Sequence, residues 1–329
     1  MNQLRLDPLS GRWIAVTNER RDPDAIFARR ALYDEDQRDD CPFCPGNEGL
    51  TPPALETYGS DGKWVARVVP NLHPAFEGSR PFVVDHKGPV FSEAPASGIH
   101  EVVVFSPEHN LSWSSFSDEQ CAIVMTTLRD RIRVHQDTPG LRYSQAIVNS
   151  GTDAGSSIEH PHGQLLGIPF VPRELVDEQG SFTRFAGGCL LCTASAYEER
   201  SGYRIVDAAD HAVVYSPFWA GSPYEMLVVP RTHDTHLHTA SAEALAGVGE
   251  AIRDGLAALR HERGEVAYNV VFHAAPYRAT APFHWHAHIL PKMTTRAGFE
   301  LGTGVYINVI GPEQAADELR AGLAKVRSS

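Results

Sequence analysis

Two short histidine clusters determine how this chain of 329 residues is organised: HPHGQ at residues 160–164 and HWHAH at residues 284–288. Each cluster follows an apolar stretch and begins 51 residues after an earlier histidine, His109 or His233 (160 − 109 and 284 − 233). A fixed separation of this kind in both halves of a chain indicates an internal repeat.

The segments around the clusters repeat as well. The paired elements are strands at 100–109 and 224–233, helices beginning at Ser117 and Ser241, and strands at 145–149 and 267–272. Apolar residues at helical spacing follow each serine, and both early strands carry a glutamate eight residues before their final histidine. We therefore predict an α+β fold of two tandem halves, with antiparallel sheets and helices packed on one face.

Composition limits the domain division and the partners. We place the first half at 1–172, an irregular polar linker at 173–188 and the second half at 189–329. The net charge of −12 is spread over short acidic clusters, which disfavours nucleic acid and anionic membranes as partners. No secretory apolar segment and no apolar run near the roughly 18 residues of a membrane helix is present, so we expect a cytoplasmic protein.

Four of the five cysteines form two CxxC pairs, which in a reducing compartment are more often metal ligands than disulfides. Each pair, together with the two histidines of its half, supplies a tetrahedral Cys2His2 set for Zn2+. The two predicted sets are Cys41, Cys44, His109 and His160 in the first half, and Cys189, Cys192, His233 and His284 in the second half. Four protein ligands close a zinc site, so these ions would be structural; Cys121 is expected in the core.

The first cluster also carries the candidate catalytic residue. On a strand, His160, His162 and Gln164 alternate to one face. The preceding loop contains Gly155, Ser156 and Ser157, and small residues of this kind let backbone N–H groups and hydroxyls approach a phosphate. An imidazole nitrogen aimed at phosphorus can hold a phosphoryl unit covalently, and a neutral amide beside it can hydrogen-bond the phosphate oxygens. We predict His162 as the nucleophile.

Here the chain resembles galactose-1-phosphate uridylyltransferases, the transferase branch of the histidine-triad superfamily. The motifs that carry the resemblance are HPHGQ after the Gly/Ser loop, CPFCPGNE at 41–48, VPN at 69–71, SPEH at 106–109, FVP at 170–172, Trp219 and GFE at 298–300. The resemblance implies histidine-triad-like halves and a ping-pong reaction between a nucleotide sugar and a sugar 1-phosphate, through a nucleotidyl-His162.

The resemblance also suggests roles for further residues. It implies that Asn149, Ser157 and Gln164 contact the phosphates, that Asn71 contacts the nucleoside, and that Arg20 or Arg21 binds phosphate. Related enzymes often form homodimers with shared active sites, so a homodimer is one expectation. Well-known members hold their second metal with one glutamate and three histidines; the matching residues here are Glu178, His273, His286 and His288. The Cys2His2 set is the first hypothesis for the second metal, because it has the better zinc chemistry and is supported by the repeat, and the glutamate and histidine set is the alternative.

The donor and the reaction class also have alternatives. In galactose enzymes a glutamine that binds the hexose falls near the position of Tyr306, and this chain has no glutamine there. The Gly302-Thr303-Gly304 run and the second CxxC pair are similar to those of adenylyl-transferring relatives such as ADP-glucose phosphorylases. We expect Gly302, Thr303 and Gly304 to cradle the acceptor phosphate. Uridylyl transfer is the first hypothesis and adenylyl transfer or ADP-glucose phosphorolysis the second. A nucleotide hydrolase, a second reactive triad at 284–288 and a zinc-binding interaction module are the remaining alternatives.

Overall fold

The structure is a computed structural model that describes residues 2–17, 21–27 and 40–328. Within these ranges it has fifteen strands and seven α-helices. The strands are β1 Gln3–Leu6, β2 Trp13–Val16, β3 Glu56–Ser60, β4 Lys63–Pro70, β5 Asp85–Lys87, β6 Phe91–Glu93, β7 Ile99–Val104, β8 Tyr143–Ser150, β9 His162–Ile168, β10 Ile205–Ala208, β11 Ala212–Tyr215, β12 Met226–Pro230, β13 Tyr268–His273, β14 His286–Pro291 and β15 Tyr306–Asn308. The helices are α1 Pro23–Ile26, α2 Asp118–Asp137, α3 Arg173–Arg184, α4 Leu190–Ser201, α5 Ala242–Arg263, α6 Gly298–Thr303 and α7 Pro312–Val326.

Ten of these strands form one antiparallel sheet in the order β10-β11-β12-β14-β13-β8-β9-β7-β4-β3. Read outward from the centre, β8-β9-β7-β4-β3 on one side matches β13-β14-β12-β11-β10 on the other. The two sets join where β8 pairs with β13, with Asn149 opposite Asn269. Each half of the chain thus contributes five strands, and the predicted duplication is confirmed.

Helices α2 and α5 are the paired helices of the repeat and pack against each other on one face of the sheet. Ser117 and Ser241 cap them, because each side chain accepts a hydrogen bond from a backbone N–H three residues later. Val124, Leu128, Val248 and many further apolar residues of both helices lie in the core beneath them, with the buried Cys121 among the group. The helix starts and the core position of Cys121 agree with the sequence predictions.

Further elements pack on the opposite face of the sheet. Helices α3 and α4 and the small sheet of β1, β2 and β15 form a second core there, which includes Leu175, Phe182 and Leu191. The irregular conformation expected for 173–188 is therefore wrong for residues 173–184, which are α3. Leu175, Glu178 and Phe182 make one buried stripe at helical spacing, but only two of the three are apolar, so the stripe is weak in the sequence.

In the part of the chain that the structure describes, no helix has the length and apolar character required to cross a membrane.

Candidate active site and metal centres

His162 is the first residue of β9 and is only 7% exposed. Leu165 on the same strand packs under the paired helices, so alternation places His162 and Gln164 on the opposite face. Nδ1 of His162 lies 2.8 Å from the carbonyl oxygen of His160. Because a carbonyl only accepts, Nδ1 carries the proton and Nε2 keeps its lone pair. Burial lowers the pKa of His162, partly opposed by this hydrogen bond, and so favours the neutral ring that a nucleophile needs.

The first predicted metal set is assembled in the fold. The ligand atoms of Cys41, Cys44, His109 and His160 all lie within 4.8 Å of one another. The Sγ–Nδ1 distances are 3.3 Å for Cys44 and His109, 3.6 Å for Cys44 and His160, and 3.7 Å for Cys41 and His160. A tetrahedral zinc with its usual bond lengths separates sulfur and nitrogen ligands by about 3.6 Å. The four donors therefore fit a zinc ion.

His160 connects this metal set to the reactive histidine. Its Nε2 lies 2.7 Å from the carbonyl oxygen of Ser106, so Nε2 donates and Nδ1 is the nitrogen that faces the two sulfurs. The carbonyl oxygen of the same residue accepts from His162. Phe43, which lies between the two cysteines in sequence, packs 5.2 Å from the His162 ring. A metal on His160 would thus fix the backbone that orients His162.

The amide side chains expected at the phosphates lie near His162. Gln164 is two residues along β9 and its Oε1 lies 2.8 Å from Nε2 of His100. Asn149, at the end of β8, accepts at Oδ1 a 2.7 Å hydrogen bond from Nδ2 of Asn269 in the second half. Since Oδ1 is engaged in this way, the amide nitrogen of Asn149 is the group that can donate to a phosphate.

The Gly/Ser loop turns beside these residues. Gly151 and Gly155 have φ values of 82° and 87°, in the left-handed region that favours glycine. The hydroxyl of Ser156 donates to the carbonyl oxygen of Ile158, whereas Ser157 is exposed. Gly151 and His162 also line a cavity of about 160 Å³. The hydroxyl of Ser156 is thus used within the loop, whereas this hydrogen bond does not involve Ser157.

The second cysteine set repeats the first. The ligand atoms of Cys189, Cys192, His233 and His284 lie within 4.8 Å of one another. The Sγ–Nδ1 distances are 3.5 Å for Cys189 and His284, 3.4 Å for Cys192 and His284, and 3.5 Å for Cys192 and His233. These values also match the edges of a tetrahedral zinc site of about 3.6 Å.

The glutamate and histidine set forms a third cluster, on the same sheet face as the reactive histidine. Its histidines, His273, His286 and His288, each lie 124 residues after Asn149, His162 and Gln164 (286 − 162). Glu178 reaches it from α3 and accepts a 2.8 Å hydrogen bond from Nδ1 of His273, shorter than a metal-bridged edge. Nε2 of His286 lies 3.1 Å from Nε2 of His288 and 3.8 Å from Oε2 of Glu178. Nε2 of His286 would be the attacking nitrogen of a second reactive triad, and His288 and Glu178 already lie beside it.

The family follows from comparison with known proteins. A family model described as the N-terminal domain of galactose-1-phosphate uridyl transferase matches residues 1–172, more than half of the chain. The chain belongs to the galactose-1-phosphate uridylyltransferase family. A further model, described as a domain of unknown function (DUF4921), matches residues 109–329 of this uridylyltransferase-family protein. The resemblance read from the sequence motifs is thereby confirmed.

Relatives of this uridylyltransferase-family protein carry two different names. ADP-glucose phosphorylase of Arabidopsis thaliana is 28% identical over 97% of this chain and 92% of the relative. Galactose-1-phosphate uridylyltransferase of Thermotoga maritima is 27% identical over 97% of this chain and 98% of the relative. A crystal structure of the Arabidopsis ADP-glucose phosphorylase with bound ADP-glucose matches with a TM-score of 0.81 and 27% identity, over 97% of this chain and 99% of that chain. A uridylyltransferase structure matches with a TM-score of 0.76 and 26% identity, over 99% of both chains.

The other residues predicted to contact phosphate lie far from His162 in the sequence. Arg20 falls outside the described residues, and Arg21 is exposed, with its backbone N–H and carbonyl both bonded to Gln314 of α7. Gly302 and Thr303 belong to α6, whose C-terminal end is capped by Gly304 with a φ of 71°. The Thr303 hydroxyl donates to the carbonyl of Phe299. A helix C-terminus presents carbonyl groups, so this segment of one chain offers fewer phosphate donors than expected; the cradle stays a prediction.

Two residues near the site of this uridylyltransferase-family chain were not found from the sequence. Asn269 was missed because its role depends on β13 pairing with β8 across the two halves. The role of His100 was missed because the residue at the matching position of the repeat is Tyr224 and His100 belongs to no motif. Alternation along β7 was the available signal, since it places His100 on the face of Val102 and Val104, away from the buried Glu101.

Proposed function

We propose that this protein is a nucleotidyltransferase that works through a covalent nucleotidyl-His162. Nε2 of His162 attacks the α-phosphorus of a nucleotide sugar, a P–N bond forms, and the P–O bond to the β-phosphate breaks to release the sugar 1-phosphate. A second sugar 1-phosphate then attacks the same phosphorus and the P–N bond breaks. Each half reaction exchanges one bond for another, and the enzyme returns unchanged.

The observation that carries this proposal is the hydrogen bond from Nδ1 of His162 to the carbonyl oxygen of His160. Attack through Nε2 leaves a positive charge on the ring while the Nδ1 proton stays in place. The carbonyl oxygen at 2.8 Å stabilises that charge, so the step needs no general base. A ring held in this orientation reacts without first losing rotational freedom.

Gln164 favours transfer over hydrolysis. An amide can donate to the phosphate oxygens, but it cannot supply a proton to a leaving group or take one from water. A histidine at this position, as in the related hydrolases, could do both. The nucleotidyl-His162 is therefore expected to wait for an acceptor phosphate.

UDP-glucose is the first donor that we propose, with a hexose 1-phosphate such as galactose 1-phosphate as the acceptor, because most of the named relatives are galactose-1-phosphate uridylyltransferases. A specific observation favours ADP-glucose as the second candidate. The second Cys2His2 set is built as completely as the first, and the resemblance associates this set with the adenylyl branch. The similarity to ADP-glucose phosphorylase over nearly the whole chain points the same way.

The metal and substrate contacts belong to the same proposal. We propose two structural Zn2+ ions on the Cys2His2 sets and place no zinc on the third cluster, where Nδ1 of His273 donates directly to Glu178. Phosphate contacts are assigned to Asn149, Ser157 and Gln164, and one of Arg20 and Arg21 is a further candidate. Asn71 is assigned to the nucleoside.

The organisation of the protein completes the proposal. The division at 1–172 and 189–329 is kept, with α3 now part of the connection and in contact with the second half through His273. We also propose a cytoplasmic location, because paired cysteines that bind zinc require reduced thiols. A homodimer is proposed by the resemblance alone.

Isotope exchange tests the function directly. Labelled glucose 1-phosphate should enter UDP-glucose without any other sugar phosphate, or should enter ADP-glucose if the second candidate is right, because a ping-pong enzyme reverses its first half reaction without the second substrate. His162→Asn should abolish the exchange, and the matched variant His86→Asn, at an exposed histidine on β5, should retain it. Exchange that persists in His162→Asn would rule out this nucleophile.

A further inference from the structure

His100 makes a set of contacts that no part of the reaction has yet explained. It lies on β7, which pairs with β9, and its backbone is opposite Leu166. Nδ1 of the ring lies 3.0 Å from the backbone nitrogen of Ala75, which can only donate. Nδ1 must therefore accept, and the neutral ring carries its proton on Nε2.

This tautomer determines which way the amide of Gln164 faces. Nε2 of His100 lies 2.8 Å from Oε1 of Gln164, so the N–H of the ring donates to the amide oxygen. A Gln164 side chain turned by 180° would replace Oε1 by the NH2 group and leave the ring N–H without an acceptor, because Asn71 also presents its Nδ2 to this nitrogen. The amide nitrogen is thus held on the side away from His100, and Gln164 shares the strand face of His162.

Asn71 is oriented at the same ring. Its Oδ1 accepts a 2.8 Å hydrogen bond from the backbone N–H of His73, and its Nδ2 lies 3.1 Å from Nε2 of His100. Both of those nitrogens carry hydrogens in this tautomer, so the 3.1 Å contact is not a hydrogen bond. The amide hydrogens of Asn71 are left for another acceptor, which fits the nucleoside contact proposed above.

We propose that His100 is a positioning residue that acts through Gln164, by holding the amide NH2 toward the phosphoryl group transferred to His162. This inference rests on the proposed nucleotidyl transfer. It adds the reason why Gln164 presents its NH2 group, and not its carbonyl oxygen, to the phosphate. With the amide reversed, its carbonyl oxygen would face the negatively charged phosphate oxygens. The chain from the Ala75 N–H through the His100 ring to Gln164 prevents this reversal.

The kinetic test is a double-mutant cycle read by the rate of nucleotidyl-enzyme formation in a single turnover. Gln164→Leu removes the donor and should slow formation by roughly 10²- to 10³-fold, the usual effect of losing one such donor. His100→Leu only releases its orientation and should slow formation about 10-fold, with kcat affected more than KM. The double variant should be no slower than Gln164→Leu alone.

Two controls separate positioning from folding. His100→Gln restores a donor of similar reach and should recover most of the rate, whereas His86→Leu, at an exposed histidine, should have no effect. Metal content and circular dichroism should be equal in all variants. A wild-type rate in His100→Leu, or effects that multiply in the double variant, would overturn the proposal.

A second measurement does not depend on catalysis. Long-range proton–nitrogen correlation spectra of the imidazole rings, assigned with the His100→Leu variant, should show His100 protonated at Nε2. An Nδ1-protonated ring would overturn the inference whatever the enzyme transfers. If His100 has the expected tautomer but the wild-type protein forms no adduct, the result would count against the proposed function. The positioning role of His100 in nucleotidyl transfer would then be overturned with it.

Discussion

Glu225 should make the stability of this protein fall as pH rises, through one buried carboxyl. It precedes β12 and lies at the position of the repeat that Glu101 occupies in the first half. Burial raises the pKa of Glu225 from its ordinary value of 4.5 to about 7, although the backbone N–H groups of Gly221 and Ser222 donate to its Oε2 at 2.8 and 3.2 Å.

The size and sign of the effect follow from this pKa. The folded protein binds the carboxyl proton more tightly than the unfolded chain does, so the contribution to stability is complete below about pH 4.5 and is lost as pH rises through about 7. The difference corresponds to about 3 kcal/mol of unfolding free energy. Glu225→Gln has the shape of the protonated acid and keeps an oxygen acceptor for Gly221. It should therefore exceed the stability of the wild type by no more than about 1 kcal/mol at about pH 5 and by about 3 kcal/mol at about pH 8.

Chemical denaturation with saturating zinc, followed by tryptophan fluorescence, measures this difference at several pH values. The difference between variant and wild type cancels the pH dependence of metal binding, which both proteins share. Glu101→Gln is the matched control with the opposite sign, because Arg131 and His135 hold the pKa of Glu101 below its ordinary value despite burial. A stability difference between Glu225→Gln and wild type that stays constant from about pH 5 to about pH 8 would refute the reasoning.

Two further predictions concern the metal and the reactive strand. Cys189→Ser should lower the zinc content from two ions to one per chain, measured by atomic emission. Adduct formation should persist, because the second Cys2His2 set is remote in sequence from His162. An unchanged zinc content would exclude this set as a zinc site. Gly163→Ala should lower the unfolding free energy by about 1–3 kcal/mol, because its Cβ would lie 2.5 Å from the Phe105 ring and 3.0 Å from the carbonyl oxygen of Ile147; denaturation midpoints equal to wild type would contradict this packing.

Repeated spacing made much of the fold predictable. The capping serines, Ser117 and Ser241, predicted the paired helices, and the 51-residue separations predicted both Cys2His2 sets. Helix caps and metal ligands require particular residue types at fixed spacings, so they can be recognised in the sequence. The pairing of β8 with β13, which joins the two halves into one sheet, has no such pattern in the sequence. Strand pairing between distant segments depends on the whole fold rather than on either strand alone.

The parts of the site that were missed share one physical cause. The α3 helix was read as a linker because its buried stripe includes Glu178, a charged residue whose burial makes sense only beside His273. His100 likewise has no motif of its own, and its role arises from a backbone N–H at Ala75 and an amide on a neighbouring strand. Polar residues satisfied by tertiary partners cannot be distinguished in sequence from polar residues satisfied by water.

The most direct measurement is an intact-protein mass spectrum after incubation with a nucleotide sugar and no acceptor. With UDP-glucose the zinc-loaded protein should gain the mass of one UMP unit, and the gain should be absent in His162→Ala. One AMP unit gained from ADP-glucose instead would retain the covalent mechanism and assign the adenylyl donor. A mass that stays unchanged with both donors, or an adduct that persists in His162→Ala, would be incompatible with nucleotidyl transfer through His162.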